Sequence, residues 1–462
     1  MGKATQHLLE LFSAKKPVGH ICLTALLAFS FALFPVRDAE AVRLSSNGQG
    51  EALIFPYYGV LNGNTTLLNI SSSDDTPKAL KVNLRDKDGA VALSFNQYLE
   101  GDGSRAAALS REGDEAKITL ADDSCTFPSL GDEVTTIPGG VLSGYIEVIE
   151  MGTVPNSGLS ELANLIRAGD CAALAERWES GAWASDPSAG LEPPLGGVWG
   201  SASIINVAEG TQYGMPTTGL VRFSNIVQHT PPGESTPNLG SAHDEGTPEG
   251  RTAGTRCIRN LDCRTLFWAS PLDAVAHALL VFRRHGQFST ETEVSAQAEF
   301  VLTLPLRRLF LEEERLPFPN LVGFEAFDRM GTGGDRPSTC LPIAEIPPCG
   351  TPYDFLPEQM VNIMAIGTNP DKQSVEVNSP ILGEPSRLTV PKNRFTDEVI
   401  DSGAIHLHFS RNFNDLESTD GEFSIGRPVL VTVLQKVSNG QLVNEQGQRV
   451  LANYGTAEAA IP

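Results

Sequence analysis

GEALIFPYYGVLNGNTTLLNISSS, residues 50–73, decides the fold, because it joins two β-prone runs through an Asn-Gly dipeptide. Asn62 and Gly63 tolerate positive φ, which a two-residue type I′ turn requires, so the stretch predicts a β-hairpin. The first run is apolar on both faces and requires cover on both sides, while Pro56 favours an edge position. Such a strand pairs within its own sandwich, the favoured arrangement, or with a protein partner or a second subunit by strand addition.

Residues 1–41 have the pattern of a signal peptide. Lys15 and Lys16 precede an apolar run of 14 residues from Ile21 to Phe34, and Ala39-Glu40-Ala41 follows as a processing site. The run is short for a spanning helix, although a retained anchor stays open as an alternative. We therefore expect an exported protein, periplasmic, on the outer surface or extracellular, with no transmembrane segment after cleavage.

The chain is strongly acidic. Its net charge is −22, and removal of residues 1–41 takes away four basic and three acidic residues, which leaves −23. This excess repels nucleic acid and anionic lipid, so nucleic-acid binding is excluded. Oxygen-rich loops at 86–89 and 412–420 lack EF-hand spacing. No cofactor is predicted, and calcium binding at an acidic loop stays open.

Six cysteines remain after the signal peptide, an even number that predicts disulfides in an exported chain. Sequence alone does not fix the pairing, and the simplest hypothesis pairs them in sequential order. No two of them have the close spacing of zinc ligand pairs. The disulfide candidates are Cys125, Cys171, Cys257, Cys263, Cys340 and Cys349.

Alternation of apolar and polar residues predicts antiparallel strands. Leu80, Val82 and Leu84 alternate with polar residues, Asp88-Gly89 supplies a turn, and a second alternating run follows at 91–96. We predict an antiparallel pair with one buried and one solvent-facing side. Further strands are expected at 117–120, 144–151, 196–213, 300–304, 374–377, 387–390, 403–410 and 428–437.

Two segments change to helical spacing. Apolar residues lie three and four apart over 159–178, with Asp170 as an N-cap and Gly181 as the stop. Ser270-Pro271-Leu272-Asp273 combines an N-cap with a proline at the first helical position, and begins an amphipathic helix that Gly286 is expected to close.

Composition changes between His229 and Arg256, where almost no apolar residues occur. Such a segment buries too little surface to offset the entropy of ordering, so residues 229–256 are predicted as an exposed acidic loop or linker. It separates an N-terminal β-sandwich region with a helical insertion at 42–228 from a β-rich region at 257–462; the alternative is one large domain over 42–462. The predicted fold is mainly β, with one or two antiparallel β-sandwich domains, Ig-like or jelly-roll-like, and short helical insertions.

Candidate catalytic and metal residues are few. His406 and His408 share one face of a predicted strand, which makes them weak candidates for a metal site and more typical of a solvent-facing side. Glu147 and Glu150 lie three apart on a strand and so face opposite sides, which disfavours a glycosidase pair. No nucleophile elbow or phosphate-binding loop occurs, so no catalytic residue is predicted.

Several phrases lie in order within residues 50–305: GEALIFPYY with NTTLLNI, GYIEVIEMG, GSASIINVAEGTQY, DAVAHALL and FVLTLP. Together they resemble a family of exported, β-rich proteobacterial proteins with no assigned reaction. The resemblance implies an envelope or secreted protein of a Gram-negative bacterium. It supplies no catalytic residues for this chain.

The expected function is therefore non-enzymatic, a structural or interaction protein of the bacterial envelope or extracellular matrix. The alternatives are a secreted glycan-binding protein or hydrolase, and a calcium-binding surface protein. For the glycan-binding alternative, the candidate aromatic side chains are Trp178, Trp183, Trp199 and Trp268.

Overall fold

The computed structural model describes residues 41–121, 125–130, 135–155, 160–244, 250–258, 262–315, 322–333, 359–393, 396–409, 416–438, 442–443, 446–447, 449–450 and 453–461. The first strands are β1 Val42–Leu44, β2 Ala52–Gly59, β3 Asn64–Ser72, β4 Lys78–Asp86, β5 Val91–Leu99, β6 Ser104–Glu112, β7 Glu115–Leu120, β8 Thr126–Phe127, β9 Thr135–Thr136 and β10 Ser143–Thr153. Next come β11 Val198–Asn206, β12 Thr211–Met215, β13 Thr218–Val221, β14 Thr252–Ile258, β15 Asp262–Trp268, β16 Leu280–Val281, β17 Arg283–Ser289, β18 Gln297–Thr303, β19 Gly323–Asp328 and β20 Val361–Ile366. The last are β21 Glu376–Asn378, β22 Pro385–Thr389, β23 Ser402–His408, β24 Leu416–Glu417, β25 Phe423–Ser424, β26 Arg427–Pro428, β27 Leu430–Ser438, β28 Leu442–Val443, β29 Arg449–Val450 and β30 Asn453–Ala459.

Helices are short. They are α1 Glu161–Ala168, α2 Cys171–Glu179, α3 Ala182–Ser185, α4 Pro271–Leu279 and α5 Arg307–Glu312, with 3₁₀ turns at Pro138–Gly140, Thr292–Val294 and Pro370–Lys372. None of the described helices is long and apolar enough to cross a membrane. The predicted mainly β fold with short helical insertions is confirmed.

Four sheets make up the body. The first has nine strands in the order β15-β14-β1-β13-β2-β10-β4-β5-β8, and the second has six in the order β12-β11-β3-β6-β7-β9. The third has the order β21-β22-β20-β18-β27-β30, and the fourth β17-β23-β19. Pairing is antiparallel except for β1 with β14 and β20 with β22. The sheets are open and packed in sandwich-like fashion.

The predicted opening hairpin is wrong, although its turn forms. Asn62 and Gly63 have φ values of 55° and 74°, and the amide of Asn64 donates to the carbonyl of Leu61 at 2.9 Å. However, β2 belongs to the first sheet and β3 to the second. Every residue of β2 is buried, whereas β3 has alternating exposed positions. The turn is therefore a corner between two facing sheets. It connects β2, which is buried on both faces, to β3, which has one partly exposed face.

Pro56 lies inside the first sheet, because β2 is placed between β13 and β10, so the predicted edge position is wrong for the strand. Two features accommodate the missing amide. Pairing with β13 stops at Ile54, and the register with β10 shifts between Phe55 and Tyr58. Thr303 Oγ1 donates to the carbonyl of Pro56 at 2.6 Å. Proline is thus tolerated at a bulge rather than at an edge.

The main core lies between the first two sheets and extends to the third. Leu53 and Val82 of the first sheet share it with Leu68 of the second and Val301 of the third. On the opposite face of β18, Phe300 packs into a separate core shared with the fourth sheet. β18 is therefore buried on both faces, and it links the halves of the chain on either side of the predicted linker.

The predicted antiparallel pair of β4 and β5 forms, but its expected solvent face is covered. Residues 229–244, here called the strap, run across this face. Lys81, Asn83 and Asn96 are buried and donate to strap carbonyls of Pro231, Ser235 and Thr230 at 3.1, 3.1 and 2.8 Å. The strap is thus only partly exposed: residues 231, 233, 234 and 236 are exposed, whereas residues 229, 237, 239, 242 and 244 are buried. Sheet side chains satisfy its backbone, which a fully exposed loop would not need. Residues 252–256, also expected in the loop, form the first part of β14.

The predicted N-caps of the two helical segments are confirmed. Asp170 caps α2 through its side chain, and Ser270 caps α4 by accepting from the amide of Leu272 at 3.2 Å. α4 is not amphipathic, since residues 272–279 are all buried, and it ends at Leu279 rather than near Gly286 because the chain enters β16. α1 to α3 form the predicted insertion on the outer side of the first sheet.

Two disulfides follow the sequential hypothesis. Cys125 bonds to Cys171 and ties the insertion to the segment beside β8, and Cys257 bonds to Cys263 across the β14–β15 hairpin. Cys340 and Cys349 lie outside the described residues.

β1 is the element that joins the two flanks of the first sheet. It pairs antiparallel with β13 and parallel with β14, and the side chain of Val42 is 1% exposed whereas Arg43 is exposed. Without β1, the β14–β15 hairpin has no partner strand in this sheet. The residue next to the predicted processing site is therefore part of the core.

We expect Val42→Asp to lower the free energy of unfolding by about 3 kcal/mol, because it buries a carboxylate with no partner. Urea unfolding of the mature chain measures this change as a lower midpoint with an unchanged m-value. Arg43→Ser is the control and should change the midpoint little. Equal effects of the two substitutions would contradict the placement of β1.

Candidate interaction surface

The carboxylates of β10 are structural. Glu147 and Glu150 face opposite sides of the strand, as predicted. Glu147 is 2.9 Å from Arg85 Nε, and Glu150 is 3.1 Å from Lys78 Nζ. All four side chains are buried. These carboxylates compensate buried cations and offer no open pair to a substrate.

A second buried acidic group joins the opening stretch to the third sheet. Tyr57 donates to Glu384 Oε1 and Lys87 Nζ to Glu384 Oε2, both at 2.9 Å. Glu299 lies nearby and accepts the amide of Ile381 at 2.6 Å. Burial and the adjacent Glu384 carboxylate raise the pKa of Glu299 to about 7. The group can hold a proton, but both carboxylates are 0% exposed, so it serves the fold.

Aromatic side chains form a closed cluster below the insertion. Tyr98 stacks on Trp183 with ring centroids 5.3 Å apart, and Trp178 Nε1 donates to the Tyr98 hydroxyl at 2.9 Å. The same hydroxyl is 2.9 Å from His229 Nε2, at the start of the strap. Burial lowers the pKa of His229 to about 4. Trp183 is 1% exposed, so the cluster anchors the strap rather than presenting a stacking platform.

The other two tryptophans do not join this cluster. Trp199 is 41% exposed on the outer face of β11, and Trp268 is fully buried beside α4. No pair of exposed tryptophans beside a carboxylate is found in the described part of the chain. This arrangement does not favour a glycan platform.

His406 and His408 lie on one face of β23, as predicted. His406 faces His285 with ring centroids 5.1 Å apart. His408 Nε2 is 3.1 Å from Glu325, and Arg283 donates to His408 Nδ1 at 3.3 Å. Burial and neighbouring cationic groups lower the pKa of His406 to about 4. Among the residues that the structure describes, no three His, Cys, Asp or Glu side chains form a metal-binding group.

A cleft of about 210 Å³ opens beside this face, where β17 meets β27 and β30. His285 and Ile461 exchange two backbone hydrogen bonds there, at 2.9 and 3.0 Å. Of the described residues that line it, His285 and Glu458 are the titratable ones. A single carboxylate lacks the partner that glycoside hydrolysis needs.

The loops with oxygen-rich sequences use their oxygens internally where they are described. Asp86 Oδ1 accepts the amides of Asp88 and Ala90 at 2.9 and 2.8 Å, which makes the loop a hairpin turn. Residues 412–415 lie outside the described part, and Asp420 is 3.7 Å from Arg251.

One exposed region is basic in this acidic chain. The β14–β15 hairpin places Arg256 opposite Arg264, and Arg256 Nη1 donates to the carbonyl of Ile425 at 3.0 Å. Arg264 forms an ion pair with Glu422. Residues 424–428 run beside β16, which leads directly into Arg283 and Arg284 of β17. The hairpin, the 422–428 segment and the start of β17 thus meet.

Three arginines of this region lack an ion-pair partner in the part of the chain that the structure describes. No carboxylate of the described residues lies within ion-pair distance of Arg256, Arg283 or Arg284. Burial lowers the pKa of Arg284, and the nearby charge of Arg256 contributes to the same effect. Burial also lowers the pKa of Arg256. Arg256 and Arg284 are therefore close enough to interact electrostatically, and Arg283 is the neighbour of Arg284 in β17.

Exposed apolar side chains lie in the same region. Phe282, Phe423 and Ile425 are 47%, 55% and 50% exposed. The carbonyl of Ile425 accepts the hydrogen bond from Arg256, and Phe282 immediately precedes Arg283 in the chain. We call this region the arginine surface: Arg256, Arg283, Arg284, Phe282, Phe423 and Ile425. It offers cationic donors beside apolar side chains, a combination typical of protein-binding sites.

The arginine surface is not evident in the sequence, because its members come from three separate segments, at residue 256, residues 282–284 and residues 423–425. Arg283-Arg284 in a chain of net charge −22 was the available clue. The hydrogen bond from Arg256 to the carbonyl of Ile425 and the pairing of β16 with β26 bring the 422–428 segment to this region.

We expect Glu299→Gln to reduce the loss of stability between pH 5 and pH 8. The folded chain keeps a proton that the unfolded chain releases above pH 4.5, so this contribution is full below pH 4.5 and is lost as the pH rises through about 7. The difference amounts to about 3 kcal/mol at most. Thermal unfolding across pH tests it, with exposed Glu376→Gln as control. An identical pH slope in Glu299→Gln and the parent would contradict the assignment.

No family model, curated protein or solved structure matches this chain.

Proposed function

We propose that this chain is an exported, non-enzymatic interaction protein of the bacterial envelope or extracellular matrix, which binds an acidic, partly apolar segment of another protein at the arginine surface. The observation that carries the proposal is the presence of three guanidiniums that have no ion-pair partner among the described residues and lie beside three exposed apolar side chains. Two disulfides and the predicted signal peptide support export.

Charge complementarity selects the partner. The body of the protein is strongly negative, so a large polyanion is repelled over most of the surface. A short acidic segment avoids this repulsion, because its charges interact mainly within a Debye length of about 8 Å. Its apolar side chains would cover Phe282, Phe423 and Ile425. The guanidiniums would form charge-assisted hydrogen bonds with its carboxylates.

The buried state of the other candidate groups supports a non-enzymatic role. Glu147, Glu150, Glu299 and Glu384 are all enclosed and bonded within the fold. The aromatic cluster of Tyr98 is enclosed as well. Chemistry at any of these groups would require the covering segments to open.

Binding of a labelled peptide of alternating Glu and Leu residues tests the proposal. At low salt it should bind the mature protein, and Arg283→Gln with Arg284→Gln should weaken binding on the order of fivefold to tenfold. The affinity should also fall as salt is added. Fluorescence anisotropy gives both results.

The matched control is Arg111→Gln with Arg387→Gln, which removes the same charge from exposed arginines of the second and third sheets. It should leave the affinity within about twofold, and both variants should keep the parent Tm. Equal affinity of the two double variants would contradict the proposal. Salt-dependent self-association would contradict the acidic segment as ligand and indicate a second copy of this chain. Binding of dextran sulfate but not of the peptide would indicate a sulfated polyanion instead.

A further inference from the structure

Arg427 is a buried cation without a counter-charge. Its side chain is 1% exposed, and none of its three guanidinium nitrogens has a hydrogen-bond partner among the described residues. It also forms no ion pair in that part of the chain. A buried charge in this state costs several kcal/mol. Lys78 and Arg85 are buried as well, and each is paired with a glutamate. The buried Lys81 donates to the carbonyl of Pro231. Among the described residues, Arg427 is therefore an exception in having neither an ion pair nor a hydrogen bond from its guanidinium.

The surroundings of Arg427 increase the positive charge. Arg307, at the start of α5, lies close enough to act on Arg427 electrostatically, and together with burial it lowers the pKa of Arg427 to about 10. Arg427 pairs with Val281 in the short β16–β26 ladder. α4, which leads into β16, belongs to an apolar cluster with Leu280 of β16 and Leu306 beside Arg307. The neighbours of Arg427 on these elements are therefore largely apolar.

The chain holds Arg427 in place through its backbone. Gly426 has a φ of 133°, and a Cβ there would lie 2.8 Å from the carbonyl oxygen of Val281. This contact leaves no room for a side chain at position 426. The close pairing with β16 keeps the Arg427 side chain directed inward.

We propose that Arg427 binds a small inorganic anion inside the fold, and that the positive charge of the nearby Arg307 adds to the attraction. An anion supplies what a water molecule does not, because it accepts the guanidinium hydrogen bonds and also compensates the charge. The ligand class is a halide or a small oxyanion such as sulfate or phosphate. This site is separate from the arginine surface, where the guanidiniums are partly exposed.

Thermal unfolding of the mature protein at constant ionic strength tests the site. Sodium gluconate, whose anion is too large for an enclosed site, is replaced stepwise by chloride, sulfate or phosphate. At least one of these anions should raise Tm in a saturable manner, by about 2 °C or more. A response to chloride alone identifies a halide site, and a response to sulfate or phosphate identifies an oxyanion site. The same Tm in all four salts would overturn the proposal.

Arg427→Met should remove the anion-dependent increase in Tm, since an uncharged side chain of similar length needs no counter-ion. Arg308→Met is the matched control, because Arg308 is adjacent to Arg307, is partly exposed and pairs with Glu312; it should respond like the parent. An Arg427→Met protein with the parent response would overturn the site. If this variant fails to fold, the titration of the parent protein still decides.

Discussion

The structure depends on the burial of both faces of β2. All eight residues from Ala52 to Gly59 are enclosed, so this strand must lie between two covered layers. One face contributes Leu53 and Phe55 to the core shared with the second sheet, and the other contributes Ala52 and Ile54 to the core below α4. A strand that is apolar on both faces cannot occupy a solvent-facing sheet without a large loss of hydrophobic free energy.

Other elements follow from this constraint. The turn at Asn62 directs β3 into the facing sheet and also binds the later chain, since Asn62 and Asn64 donate to the carbonyl of Ile381 at 3.2 and 3.0 Å. Gly383 approaches so closely that a Cβ would lie 2.7 Å from the Asn62 Cβ. The opening stretch is therefore in contact with residues more than 300 positions away, and the two halves of the chain share one core.

Local sequence signals were reliable, and long-range relations were not. The Asn62-Gly63 turn, the Asp170 and Ser270 caps and the β4–β5 pair depend on neighbouring residues, and all of them form. The error at β2 and β3 arose because an Asn-Gly turn fixes the backbone of the turn, not the sheet to which each strand belongs. Alternation at Lys81 and Asn83 was read as solvent exposure, but polar side chains also serve to satisfy a covering backbone.

The same reasoning explains why the candidate sites were missed. Net charge is a sum, and a value of −22 conceals a local group of cations whose members come from distant strands. Arg427 is isolated in sequence from Arg307, and nothing in its neighbours indicates burial. Conversely, the spacing of Glu147 and Glu150 raised the question of a catalytic carboxylate pair. Their structural role is to pair with Arg85 and Lys78 on the adjacent strand.

Charge in this molecule is thus divided between two environments. Inside, Lys78 and Arg85 pair with glutamates and Lys81 donates to a backbone carbonyl, so these groups are not available for partners. Among the described buried cations, Arg427 is the exception. Arg256 and Arg284 differ because the fold brings them close together, with Arg283 beside Arg284 in β17. No carboxylate of the described residues pairs with any of these three arginines. Like charges held together raise the free energy of the unbound state, and an acidic ligand relieves that repulsion when it binds. Because this repulsion is present in the unbound protein and decreases in the complex, it contributes favourably to the free energy of binding an anionic partner.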